Sequence, residues 1–163
     1  MLEIRGGVEN TGEVLTQAAQ EILERMFFLT AEEAAPDPGA GVAGAAPTLV
    51  FEVSFHGAHN GRLRLKVPER CAGELAANFL GILNLGQLGP EQIAEVLREL
   101  TNMTCGTTLS RLAPQAVFNL DPPVLLTAKP DVNFPALARR LQNGNDCIDL
   151  YWHWDDPGLE GAT

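Results

Sequence analysis

Two strand-patterned runs limit this chain more than any other feature: TLVFEVSF at 48–55 and GRLRLKV at 61–67, joined by HGAHN. Both runs are rich in β-branched, aromatic and leucine residues, and the second alternates strictly between small or apolar and charged side chains. With a glycine-containing connection between them, they predict an antiparallel hairpin. Pro68 ends the second run, because proline has no N–H to extend a ladder. A helix is then predicted over 70–82, carrying Leu75, Phe79 and Leu80, with Gly86 and Gly89 closing the connection that follows.

Upstream, Val14, Ala18, Ile22, Met26 and Leu29, flanked by Leu15 and Ala19, recur at helical spacing, so a first helix is predicted over about 12–29 with Thr11 as N-cap. The stretch 36–47 is Ala, Gly and Pro with a single charge, too rich in breakers for helix or strand, and reads as a mobile loop. Further strands are expected at 115–120, 124–128 and 147–153, and a turn followed by a short helix at 135–141 is expected between the last two. With 163 residues and 45% hydrophobic content, the chain reads as one domain over 1–155, followed by a frayed tail at 156–163. No stretch calls for a membrane span, and the start lacks a basic region followed by a long apolar run, so the expected location is cytoplasmic.

The formal net charge is −10, from eleven basic and twenty-one acidic residues without a dense basic patch, which argues against nucleic acid as a partner. Cys71, Cys105 and Cys147 are an odd number of scattered thiols, expected to be free, small and buried or half-buried. His56 and His59 lie in the hairpin turn and His153 between two tryptophans. Without a Cys/His cluster or an HExxH helix they read as turn polarity rather than as a metal site. Cys105 has no neighbouring histidine to activate it as a nucleophile.

The segment with the strongest mark of function is 90–107. Ile93, Val96, Leu97, Leu100, Met103, Thr104 and Thr107 fall near one side at about 100° per residue, the mark of an amphipathic helix. Gly89-Pro90 supplies its start, and Glu91 and Gln92 suit the positive end of its dipole. On the opposite side Glu95, Glu99, Asn102 and Gly106 form one ridge at spacings of four, three and four. Acids on a solvated face are commonplace. A mid-helix asparagine and a glycine one turn later are not, since glycine costs about 1 kcal/mol relative to alanine. Two local costs on one exposed ridge point to contact with another molecule. A faint internal echo accompanies this, because EVLTQAAQ at 13–20 aligns without a gap on EVLRELTN at 95–102. If the echo is a duplication, Gln17 and Gln20 occupy the places of Glu99 and Asn102, so the first helix lacks the acid.

Glu99-Leu-Thr-Asn102-Met-Thr-Cys-Gly106 resembles the E-x-x-N-M-x-x-G helix of the chemotaxis phosphatases CheC, CheX and FliY. Phe55-His-Gly-Ala-His-Asn-Gly-Arg-Leu-Arg-Leu resembles their F-x-G-x-x-x-G hairpin, and an Ala/Leu-rich helix follows at 72–80 as it does there. The order of elements agrees over 12–152. Glu95 stands where the fuller pattern has Asp or Ser, and Pro122-Pro123 lie slightly closer than its downstream proline. The single E-x-x-N is similar to CheX, with one site per subunit, rather than to CheC with two.

The resemblance implies an α+β fold, an antiparallel β-sheet with long α-helices packed on it, and a homodimer. A dimer joined through sheet edges would shield strands that otherwise invite aggregation, with 147–153 as a strand suited to that use. It also implies removal of phosphate from the aspartyl phosphate of a CheY-like response regulator. No cofactor of the chain's own is expected, the Mg2+ belonging to the partner receiver. Asn102 cannot act as a base, but its carboxamide offers an acceptor and a donor that can hold a water in line with phosphorus. Glu99 is suited to pair with a lysine beside the receiver's phosphorylation site. Glu95 would extend the docking edge, and Gly106 would let the receiver come close. A receiver-docking module without catalysis, or a structural part akin to flagellar switch proteins, would use the same ridge. Dependence of binding on the receiver's phosphorylation separates the last from the other two.

Overall fold

The computed structural model describes residues 10–36, 47–127 and 136–156. Along the chain run α1 (Thr11–Phe27), β1 (Glu32–Ala34), β2 (Thr48–Gly57), β3 (Gly61–Pro68), α2 (Glu69–Leu80) and α3 (Pro90–Leu112). They are followed by β4 (Phe118–Leu120), β5 (Val124–Leu125), β6 (Leu137–Asn143) and β7 (Asp146–Trp154). The strands form one antiparallel sheet in the order β1-β6-β7-β3-β2-β4, with β5 also on β2. The fold is therefore α+β. Among the described residues no helix is long and apolar enough to cross a membrane.

The hairpin β2–β3 forms in the register that its alternation demands, Phe51 opposite Leu65 and Val53 opposite Leu63. These side chains, with Leu150 and Trp152 of β7, meet the buried faces of the helices in one core: Leu15, Leu23 and Phe27 from α1, Leu75 from α2, and Leu97, Leu100 and Leu109 from α3. The α1 stripe is centred one residue from the expected one. Leu15, Ala19, Leu23 and Phe27 are buried, whereas Met26 is 44% exposed. Asn10, not Thr11, holds the cap position, and Thr11 is the first, fully buried residue of the helix.

The opposite face of the sheet carries the alternating polar residues, which pair across strands. Arg64 Nε donates to Glu52 Oε2 at 2.6 Å, and Arg140 grips Asp149 through two bonds of 2.7 and 3.1 Å.

Glycines of the F-x-G-x-x-x-G stretch have steric work. A Cβ on Gly61 would lie 2.3 Å from the His153 carbonyl oxygen and 2.5 Å from the Phe55 ring. The strand β3 reaches β7, and the Phe55 ring reaches Trp152 and Trp154, only because that atom is missing. Gly61→Ala should therefore lower stability by about 1–3 kcal/mol, read as a fall in the urea midpoint.

Two expectations are corrected. The described part of the segment 135–141 is not a short helix: Leu137–Asn143 is strand β6, between β7 and β1. Its Leu, Ala, Arg and Gln favour helix locally, but the pairing of every residue with β7 overrides that preference. The two-residue loop Gly144-Asn145, with Gly144 at φ 59°, closes the hairpin and was its overlooked signal. The run 147–153 is not an edge either, because β7 lies between β3 and β6. Among the described residues the edges belong to β1, a strand without sequence signal, and to β4 and β5. The loop expected over 36–47, the turn before 136 and the tail beyond 156 lie outside the described residues, except for Pro36, Pro47 and Asp156.

Candidate functional site

The helix α3 starts as its sequence dictates. Gly89 occupies the cap position, Pro90 the first turn, and the Gln92 side-chain oxygen accepts the Gly89 N–H at 3.0 Å. Its buried side is broader than the expected stripe and includes Thr101, Thr104, Cys105 and Thr108, while Met103 and Thr107 are only half-buried. The threonine hydroxyls enter the core because each donates to the carbonyl four residues back: Thr101 to Leu97 at 2.7 Å, Thr104 to Leu100 at 2.8 Å and Thr108 to Thr104 at 2.7 Å. Arg111, in the last turn, ties α3 to Glu21 of α1. The Arg111 hydrogen bond holds the Glu21 carboxyl below its ordinary range.

With that side buried, the four ridge residues face outward together. Glu95 and Glu99 are exposed, Asn102 and Gly106 half-buried. The segment after β4 forms a facing wall, leaving a groove of about 250 Å3 lined by Glu95, Arg98, Glu99, Asn102 and the stretch from Leu120 to Pro123. The wall is held from the hairpin: the Asp121 N–H donates to the Ser54 carbonyl at 2.9 Å, and Asp121 Oδ2 lies 2.9 Å from His56 Nε2. Gly57 makes room for the chain entering β4, since a Cβ there would stand 2.4 Å from the Val117 carbonyl oxygen. Both signature stretches thus build one groove, the helix supplying the ridge and the hairpin seating the wall.

Among the described residues, neither the Asn102 carboxamide nor the Glu99 or Glu95 carboxylate has a hydrogen-bond or ion-pair partner. Two amides of α1 are engaged. Gln20 donates to the Ala31 carbonyl at 3.1 Å, and Gln17 reaches Glu13 at 3.5 Å. At Gly106 an added Cβ would come no nearer than 4.0 Å to the Leu120 side chain, so the fold itself leaves this position open. A wider hollow of about 370 Å3 continues past Gly106 beside Ser110, Pro114 and Val117.

Arg98 and Asp121 belong to this site without a sequence signal, and His56, read from the sequence as turn polarity, holds Asp121 in it. Asp121-Pro122-Pro123 was visible only as a displaced proline. His59 faces Asp156 at 2.6 Å and His153 faces Asp155 at 3.1 Å, and among the described residues no group of metal-ligating side chains gathers.

The cysteines take no part in the groove. Cys71 and Cys105 are fully buried and free; burial pushes the Cys71 thiol up to about 12 and raises that of Cys105 as well. Cys147 is half-buried. At pH 8 a disulfide reagent such as DTNB should titrate Cys147 alone in the native protein, the other two thiols appearing only on unfolding.

No curated protein matches the sequence. The fold is similar to that of the chemotaxis protein CheX from Vibrio vulnificus, at 17% identity and a TM-score of 0.71, covering 89% of this chain and 96% of that one. A CheC-like superfamily protein from Shewanella sp. PV-4 is similar at 14% identity and a TM-score of 0.71, over 90% of this chain and 98% of that one. So is the Borrelia burgdorferi CheX–CheY–BeF3–Mg2+ complex, at 17% identity and a TM-score of 0.63, over 88% and 97%. At such identities the likeness is one of fold. The family itself is given by sequence: the family described as chemotaxis phosphatase CheX matches residues 50–137, more than half of the chain and the whole of the groove. The chain therefore belongs to the CheX family of chemotaxis phosphatases.

Proposed function

We propose that the protein hydrolyses the aspartyl phosphate of a CheY-like response regulator, with Asn102 orienting the attacking water and Glu99 docking the receiver. The observation that carries this reading is the half-buried Asn102 carboxamide, which has no partner among the described residues and stands beside an equally uncommitted Glu99 on the rim of a groove. Family membership supports the reaction class, and a CheX of similar fold is found in complex with CheY, BeF3 and Mg2+, the BeF3 group being a phosphoryl mimic.

Phosphoryl transfer depends mainly on positioning and charge stabilisation. The Asn102 carbonyl accepts a hydrogen bond from the water while its NH₂ is free to donate to the phosphoryl group or the receiver backbone. The water oxygen bonds to phosphorus, the bond to the aspartyl oxygen breaks with its electron pair returning to that carboxylate, and the water's protons leave with phosphate and solvent. The Glu99 carboxylate pairs with a receiver lysine, Glu95 lengthens that edge, and the bare backbone at Gly106 admits the receiver closely. The Mg2+ is the receiver's own.

The reading extends to a cytoplasmic homodimer of single-domain subunits. The outer sides of β1 and of β4 with β5, unpaired among the described residues, support a sheet-edge contact. The deciding measurement is the lifetime of phosphate on a CheY-type receiver with and without the protein. A shortened lifetime is expected, and phosphorylation-dependent binding without shortening would favour a docking module instead.

A further inference from the structure

Arg98 lines the groove together with Asn102, and its side chain is half-buried. Three carboxylates share that lining, Glu95, Glu99 and Asp121, yet among the described residues Arg98 forms no ion pair or hydrogen bond. Asp121 is already engaged by His56 at 2.9 Å. Six other arginines, Arg62, Arg64, Arg70, Arg111, Arg139 and Arg140, each meet a carboxylate within 4.0 Å, and Arg25, which among the described residues pairs with none, lies at the end of α1 away from the groove. In a chain of net charge −10, a guanidinium that stays unpaired among acids is available to something else. Its place says what. Residues four apart on a helix stand one above the other, so Arg98 lies one turn from Asn102 on the wall of the same groove.

We propose that Arg98 binds the phosphoryl oxygens of the receiver's aspartyl phosphate and steadies their charge as the bond to the aspartate breaks, an assignment that rests on the phosphatase reading above. The receiver's own Mg2+ and lysine carry part of the phosphoryl charge, but the three carboxylates of the groove add repulsion, and Arg98 is the one cationic side chain among the described lining residues that can offset it. The planar guanidinium fork matches two phosphoryl oxygens at once, and such a contact acts where transition-state charge develops. Arg98 keeps its proton throughout and forms no covalent bond.

The test follows phosphate loss from a CheY-type receiver charged with acetyl phosphate, over a range of receiver concentrations, with wild type, Arg98→Ala, Arg98→Lys and Asn102→Ala. Binding of each to CheY with and without BeF3 and Mg2+ is titrated alongside, and thermal melts check the fold. Arg98→Ala should lower kcat about ten-fold or more, below the ~10³–10⁵ seen for arginines in closed sites. It should also reduce the preference for the BeF3-loaded receiver, and Arg98→Lys should restore part of both. A wild-type kcat with Arg98→Ala, whether or not KM rises, overturns the proposal and leaves the phosphatase reading standing. If wild type and Asn102→Ala alike leave the phosphate lifetime unchanged, the phosphatase reading falls and the proposal with it.

Discussion

Replacing Asn102 by alanine should abolish most phosphate removal while leaving the protein folded. Removing a single preorganised hydrogen-bonding group from a reacting centre costs roughly 10²–10³ in rate, and here the amide is the group given the water-orienting task. Stability should change little. The side chain is half-buried and bonds to none of the described residues, and alanine is the better helix former by a few tenths of a kcal/mol or more. The measurement is the single-exponential decay of receiver phosphate, with a thermal melt of each protein. An unmelted Asn102→Ala protein of full activity would remove the mechanism, whereas a loss confined to binding would assign Asn102 to docking. Gln20 is the internal control, since its amide is already committed to the Ala31 carbonyl. Gln20→Ala should affect stability and leave the phosphate lifetime alone.

Cutting the Arg140–Asp149 pair should have the largest effect on stability. The two residues stand directly opposite each other on β6 and β7, joined by two hydrogen bonds, with only 9% and 8% of their surfaces exposed. The guanidinium of Arg140 is held charged above its already high range by the bond to Asp149. Removing one partner of such a pair strands the other away from water, at a cost of about 3–5 kcal/mol. Arg140→Ala should therefore shift the urea unfolding midpoint strongly downward. The double replacement Arg140→Leu with Asp149→Leu should recover much of the loss, because the stranded charge, more than the lost attraction, is what destabilises. A single mutant as stable as wild type would show that water reaches this face of the sheet freely.

Much of the working surface was legible in the sequence because its determinants are local. Strict alternation and a glycine-bearing connection define β2 and β3, since a period of two admits one choice of face. Gly89-Pro90 and a helical period define α3, and the same period brings Glu95, Glu99, Asn102 and Gly106 to one side whatever packs on the other. The F-x-G-x-x-x-G pattern could be recognised there, but not explained. Only the folded chain shows Gly57 admitting the Val117 carbonyl and Gly61 admitting that of His153.

The rest was decided by partners distant in sequence. Leu137–Asn143 is built from helix-favouring residues and becomes a strand because β1 and β7 take up its backbone hydrogen bonds. The groove exists because His56 and Ser54 hold Asp121 against α3 from sixty-five and sixty-seven residues away. That Asn102 and Arg98 are uncommitted, while Gln20 and six other arginines are engaged, is likewise a property of the assembled neighbourhood. Periodicity tells which side chains share a face; whether each finds a partner depends on what the fold brings opposite it.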